Sequence, residues 1–170
     1  MEDKKMAEEM KTINDVPMIL RREIEARMVA PFIRAFSEAF GEEETMTIVK
    51  SVIAGLAEEA GSGLAEMLGD NSLQCFAEKV TPAFGAGGAL QFEVKEATDE
   101  TVRMDIVRCA YVDMYERLGL KDLGGVLSCG RDEYLIKGFN PDVEFTREYT
   151  LMSGGPVCDF CLRKKAEKKD

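Results

Sequence analysis

Phe92-Glu-Val-Lys95 and Thr101-Val-Arg-Met-Asp-Ile-Val107 decide the fold. In both, apolar and polar side chains alternate, the two-residue period of a strand with one buried face. Thr98-Asp-Glu100 between them has the composition of a turn, so the pair reads as a β-hairpin. Upstream the apolar spacing is four rather than two. Ile24, Met28, Phe32, Phe36 and Phe40 mark one face of a helix that Asn14-Asp15 and Pro17 start and Gly41 closes. A second helix follows Glu42-Glu-Glu44, whose charges suit a helix N-terminus, and carries the stripe Ile48, Val52, Leu56, Ala60, Leu64 and Leu68. Gly55, Gly61 and Gly63 weaken that helix and point to close helix–helix approach. A shorter helix, capped by Ser72, runs from Leu73 to Val80, and Thr81 to Ala89 reads as a loop.

Downstream of the hairpin, Cys109 to Leu118 reads as a helix, and Asp122 begins another that runs to about Lys137 before Gly138 and Asn140-Pro141. Val143 to Met152 alternates again as a strand, Ser153-Gly-Gly-Pro156 is a turn, and Val157 to Leu162 is a last strand. The change of period near Leu90 predicts an α+β fold: a helical N-terminal half, residues 15–80, packed on an antiparallel sheet with inserted helices in the C-terminal half, residues 91–162. One domain over residues 1–170 fits the length.

Composition excludes whole classes of chemistry. The chain has no histidine, so serine–histidine triads, cysteine–histidine dyads and histidine-bound metals are ruled out. A net charge of −10 disfavours nucleic acid or an anionic membrane as partner and leaves a small-molecule substrate. Five cysteines, an odd number, and an N-terminal Met-Glu-Asp-Lys-Lys with no apolar leader predict a cytoplasmic protein without a disulfide framework. The oligomeric state stays open between monomer and homo-oligomer.

The chemistry that remains clusters late in the chain. Cys129 and Asp132, three apart on a helix, share a face. The alternative to a working pair is a buried cysteine beside a solvated aspartate. Cys158 and Cys161, three apart on a strand, point to opposite faces, so no metal site is expected through them. Arg147 shares a strand face with Phe145 and Tyr149, either as an exposed, stacked side chain or as a bidentate carboxylate clamp.

Together the pieces resemble the L-2-amino-thiazoline-4-carboxylic acid hydrolase family. The resemblance runs from Leu20-Arg-Arg-Glu-Ile-Glu-Ala-Arg27 and Phe36 to Gly41 through Arg108-Cys-Ala-Tyr111. It is densest over Leu118-Gly, Leu123-Gly, Cys129-x-x-Asp132, Gly138-Phe-Asn-Pro141, Thr146-Arg147, Thr150 and Cys158-Asp-Phe160. It implies hydrolytic opening of a small cyclic amidine to a carbamoyl-cysteine, with no cofactor. On that basis Cys129 is the expected nucleophile, Asp132 its proton-transfer partner and Cys158 the rival thiol. Arg147, Tyr111 and Asp159 are the expected substrate contacts. The ending Val143 to Phe160 is also similar to 4-vinyl-reductase-type domains, which implies a small-molecule sensor or carrier without catalysis.

Overall fold

The computed structural model describes residues 16–166. The expected cap at Asn14-Asp15 lies outside them. Within them, the period-four region folds as two long antiparallel-connected helices, α1 (Met18–Phe40) and α2 (Glu42–Leu68), joined at Gly41. Gly41 has φ of 96°, a left-handed conformation that glycine adopts at little cost. A helical stretch follows: α3 (Leu73–Cys75), a π-helical segment (Phe76–Val80) and α4 (Thr81–Phe84). Ser72 caps it, its hydroxyl accepting from the Cys75 N–H at 3.1 Å. The helix therefore extends past Val80 into what sequence reads as loop, and a short 3-10 turn (Ala86–Gly88) completes it.

The hairpin forms as expected, from β1 (Leu90–Ala97) and β2 (Thr101–Cys109). α5 (Ala110–Arg117) and α6 (Lys121–Leu127) follow, then a 3-10 turn (Cys129–Arg131), α7 (Asp132–Phe139), β3 (Val143–Thr146) and β4 (Cys158–Lys164). The four strands form one antiparallel sheet in the order β1-β2-β4-β3. The α+β class and the helical N-terminal half are thus as the period change predicts.

Two local expectations are corrected. The single helix over 122–137 is broken at Ser128, whose φ of −118° leaves the helical range, and Gly124, Gly125 and Gly130 surround the break. The strand over 143–152 stops at Thr146, because side chains take over the backbone groups beyond it. Both Asp159 carboxylate oxygens face the chain there, Oδ1 accepting from Glu148 N at 3.1 Å and Tyr149 N at 2.6 Å. Thr150 then caps a 3-10 turn (Leu151–Ser153).

The helical stripes also face differently from a core. α1 buries Ala26, Ala30 and Ile33, and α2 buries Thr45, Ile53, Ala57 and Gly61, while the row from Ile24 to Phe40 is exposed. Small residues let the inner faces approach. Gly61 on α2 meets α7, where a Cβ would collide with the Leu135 carbonyl, and Gly138 on α7 would collide with Glu58. Gly55 and Gly63 have open space around them.

The core is in two parts. One lies among α1, α2, α5 and α6, around Tyr115 and Leu123. The other packs α3, the π-helical segment and α7 on one face of the sheet, through Leu73, Phe76, Met104, Phe139 and Leu162. A cavity opens where the two parts meet.

Candidate functional site

The cavity has a volume of about 130 Å³. Its floor is the sheet. β2 supplies Met104 and Ile106, and β4, paired to it in the register Met104↔Phe160 and Ile106↔Cys158, supplies Phe160 and Cys158. Cys158, Phe160 and Leu162 alternate inward, so Cys161 lies on the opposite face of β4, as the strand parity requires. Among the described residues, no three cysteine, aspartate or glutamate side chains gather into a group that could hold a metal ion.

The break at Ser128 turns the next residues toward this floor. Tyr115, fully buried, holds it in place, its hydroxyl 3.1 Å from Ser128 Oγ. Cys129 in the 3-10 turn and Asp132 at the first residue of α7 then both line the cavity. Arg147, just beyond β3, reaches the same wall. Its Nη1 donates to Asp132 Oδ2, and its Nη2 donates to the Cys129 carbonyl at 3.2 Å. The guanidinium lies 5.6 Å from the Phe145 ring centre and 5.4 Å from that of Phe160, a cation–π seat that fixes its plane. Tyr149, expected on the same face, stays 45% exposed and outside the cavity.

Of the expected site residues, Cys129, Asp132, Arg147, Cys158 and Tyr111 line this one cavity. Asp159 does not; its carboxylate is spent on the Glu148 and Tyr149 N–H groups. Sequence reasoning missed Thr81 and Arg22, which also line the cavity with Arg131 and with Cys109, a thiol expected only as a small buried side chain. The two arginines have side chains only 14% and 12% exposed and share Glu25, to which Arg131 donates at 3.1 Å. Arg22 pairs with Glu25 locally, three residues on, but nothing in the local pattern marks Arg131 as buried, because its pair with Glu25 spans 106 residues.

Two hydroxyls in the wall have no protein partner. Tyr111 Oη and Thr81 Oγ1 are buried without a hydrogen bond, though each residue lines the cavity. A buried hydroxyl left unpaired costs about 1–3 kcal/mol, which a ligand or water that supplies the missing bond returns.

The electrostatics set the chemistry. Burial, followed by the neighbouring Asp132 charge, pushes the Cys129 thiol up to about 12, against a smaller downward pull from Arg147. Burial likewise raises Cys109 and Cys158, the latter opposed by the Leu151 N–H that points at its sulfur from 3.2 Å. All three are thiols, not thiolates, at neutral pH. Burial also lifts Asp132 to about 6, although Arg147 and then Arg22 pull it down. Its side chain keeps 32% exposure on the cavity wall, so water screens part of this effect. The group is ionised near neutral pH, yet proton transfer lies within easy reach. Burial pushes the Tyr111 phenol up to about 12, which keeps it a hydrogen-bond donor.

No curated protein matches the sequence. Among solved structures, the crystal structure of the phenol-responsive sensory domain of the transcription activator PoxR with phenol is similar at a TM-score of 0.51 and 8% identity. The match covers 81% of this chain and 73% of that one. At that identity the likeness is one of fold. The family model for L-2-amino-thiazoline-4-carboxylic acid hydrolase matches residues 21–162, a span that holds every residue of the cavity wall except Met18. The chain belongs to the L-2-amino-thiazoline-4-carboxylic acid hydrolase family.

Proposed function

We propose that the chain hydrolyses a small cyclic amidine that also carries a carboxylate, of the kind its family name describes. The observation that carries this reading is Asp132, an ionised carboxylate in an apolar cavity with a pKa near 6, within the field of Arg147 and Arg22. An amidine ring bearing a carboxylate is complementary to such a wall. Its cationic end suits Asp132 and its anionic end suits a guanidinium.

The raised thiols move the chemical role from Cys129 to Asp132. A thiol near 12 has almost no thiolate at neutral pH, whereas a carboxylate near 6 is a competent general base. In the proposed step Asp132 takes a proton from water as its oxygen bonds to the amidine carbon between nitrogen and sulfur. The C–S bond then breaks as the adduct's hydroxyl becomes a carbonyl, and the proton on Asp132 passes to the departing sulfur. The hydroxyl proton, equal to the one the cationic amidine brought, is released to water. The product, a carbamoyl-cysteine, contains the ring plus one water. Cys129 and Cys158 pack against the ring as neutral thiols. Arg147 holds Asp132 and orients the substrate. The test is incubation of the purified protein with L-2-amino-thiazoline-4-carboxylate and measurement of thiol release. Release at the rate of a buffer blank refutes the reading.

A second reading, a sensor or carrier that binds without turnover, is favoured by the unpartnered Tyr111 and Thr81 hydroxyls in a mostly apolar wall. Such a wall suits a small aromatic alcohol, and a similar fold serves a domain described as phenol-responsive. Calorimetric titration with phenol decides it. Binding that weakens about tenfold or more in Tyr111→Phe supports this reading. Absence of binding removes it.

A further inference from the structure

Among the described residues, nothing covers the face of α1 that periodicity marks as apolar. Ile24, Met28, Phe32, Phe36 and Phe40 are each between 49% and 69% exposed. Ile48, Val52 and Leu56 on α2 extend the patch at 65%, 54% and 50%. The three phenylalanines form a ladder, with ring centres 6.3 Å and 6.0 Å apart. Between the two helices runs a groove of about 730 Å³, walled by Phe32, Phe36, Phe40, Ile48, Val52 and Leu56 and floored by Ile33 and Ile53. An apolar patch this continuous is larger than a monomeric surface usually tolerates.

We infer that this face is the interface of a two-fold symmetric dimer, covered by the same face of a second copy of the chain. Three observations choose that occupant. The first is geometric. Five large side chains at an unbroken four-residue spacing make a single i±4 ridge, and two such ridges interdigitate at about −50°. A two-fold axis presents the same ridge and the same groove on both partners, so the surface is its own complement.

The second is area. Eight side chains about half exposed, at roughly 100 Å² each, offer about 800 Å² per copy. That is close to what one partner contributes to a standard stable interface.

The third is charge. Arg27 and Arg34 on α1 are already in ion pairs, with Glu23 and Asp122, and the chain carries −10. Among the described residues, Arg21, bound to the Val16 carbonyl, and Lys50 on α2 are the cations near the patch outside ion pairs, too few for the basic rim that draws an amphipathic helix to an anionic bilayer.

The interface adjoins the site. Arg22, Ala60 and Arg131 wall both the groove and the functional cavity, so one layer of side chains separates a bound ligand from the second copy. This inference does not depend on which ligand the cavity takes.

Sedimentation equilibrium of the full chain from ~1 to ~100 μM tests it. The expected mass is twice the 18.9 kDa of one chain. Phe32→Glu with Phe36→Glu should return the single-chain mass by weakening dimerisation at least ~100-fold, with far-UV circular dichroism unchanged because both positions are on the surface. If that pair disturbs the fold, Met28→Lys, at 67% exposure, carries the same test. A wild type that stays monomeric across the range overturns the inference, whether residues 1–15 of its own chain or nothing covers the row. So does a dimer that survives these substitutions undiminished. A monomer that pellets with phosphatidylcholine vesicles, but not after Phe32→Glu with Phe36→Glu, also overturns it and assigns the face to a lipid surface.

Discussion

Arg147, from the segment just past β3, closes an ion pair on Asp132, the first residue of α7, while its second amino group holds the carbonyl of Cys129. One guanidinium, seated between Phe145 and Phe160, thus joins the sheet to the turn that carries the candidate site. Arg147→Lys keeps the charge but not the two-pronged geometry or the ring stacking. It should cost about 1–3 kcal/mol of stability, read as a fall in the urea midpoint. Arg147→Ala should in addition move the acid limb of the activity profile to higher pH, because Asp132 loses the neighbour that pulls its pKa down most.

The raised pKa of Asp132 has a sign for stability. The folded carboxyl binds a proton up to about pH 6, the unfolded one only to about its ordinary 3.8. The native state therefore holds more protons in that window, and stability falls as pH rises through it. Between pH 4.5 and 7 the wild type should lose about 1–2 kcal/mol that Asp132→Asn does not lose, the one-third exposure of the side chain screening part of the effect. Chemical denaturation of both proteins at pH 4.5 and 7 measures the difference. Parallel curves would mean that the carboxyl is not held out of solvent.

Alkylation should sort the thiols by burial. Cys109, Cys129 and Cys158 are raised by burial, while Cys161 lies on the opposite face of β4. With iodoacetamide at pH 7.5, mass spectrometry should find Cys161 modified first and Cys129 still free after hours. Rapid, selective modification of Cys129 would point instead to an activated thiolate.

The crossing of α2 and α7 depends on two glycines with no room for a methyl group. Gly61→Ala and Gly138→Ala should each destabilise by about 2–4 kcal/mol, since the obstruction is backbone carbonyl on the facing helix. Gly63→Ala, with open space around it, should stabilise by up to about 1 kcal/mol through helix propensity. Thermal melts of the three proteins check both directions.

The sequence was most legible where local period and burial coincide. The alternation over Phe92–Lys95 and Thr101–Val107 gives the hairpin because β2 faces the core with Val102, Met104 and Ile106. The three-residue spacing of Cys129 and Asp132, and the aromatic company of Arg147, likewise survive into the cavity wall. What was not legible rests on long-range pairing. A stripe such as Ile24 to Phe40 shows that a helix has an apolar face, not what covers it, and here α1 buries the small side chains Ala26 and Ala30 instead. Asp159 reads as a site carboxylate until its two backbone partners ten and eleven residues away are seen. Thr81 declares itself only through a hydroxyl the folded chain leaves unpaired, whereas Tyr111, expected from the family resemblance, carries the same sign.

The central claim is that the cavity acts through the Asp132 carboxylate and not through a Cys129 thiolate. Side-by-side rates of thiol release from L-2-amino-thiazoline-4-carboxylate by Cys129→Ser and Asp132→Asn test it most directly. Asp132→Asn should lower kcat at least ~100-fold, the scale of a lost general base, while Cys129→Ser should stay within about tenfold of wild type. An inactive Cys129→Ser beside an active Asp132→Asn would contradict the account and return the reaction to the thiol.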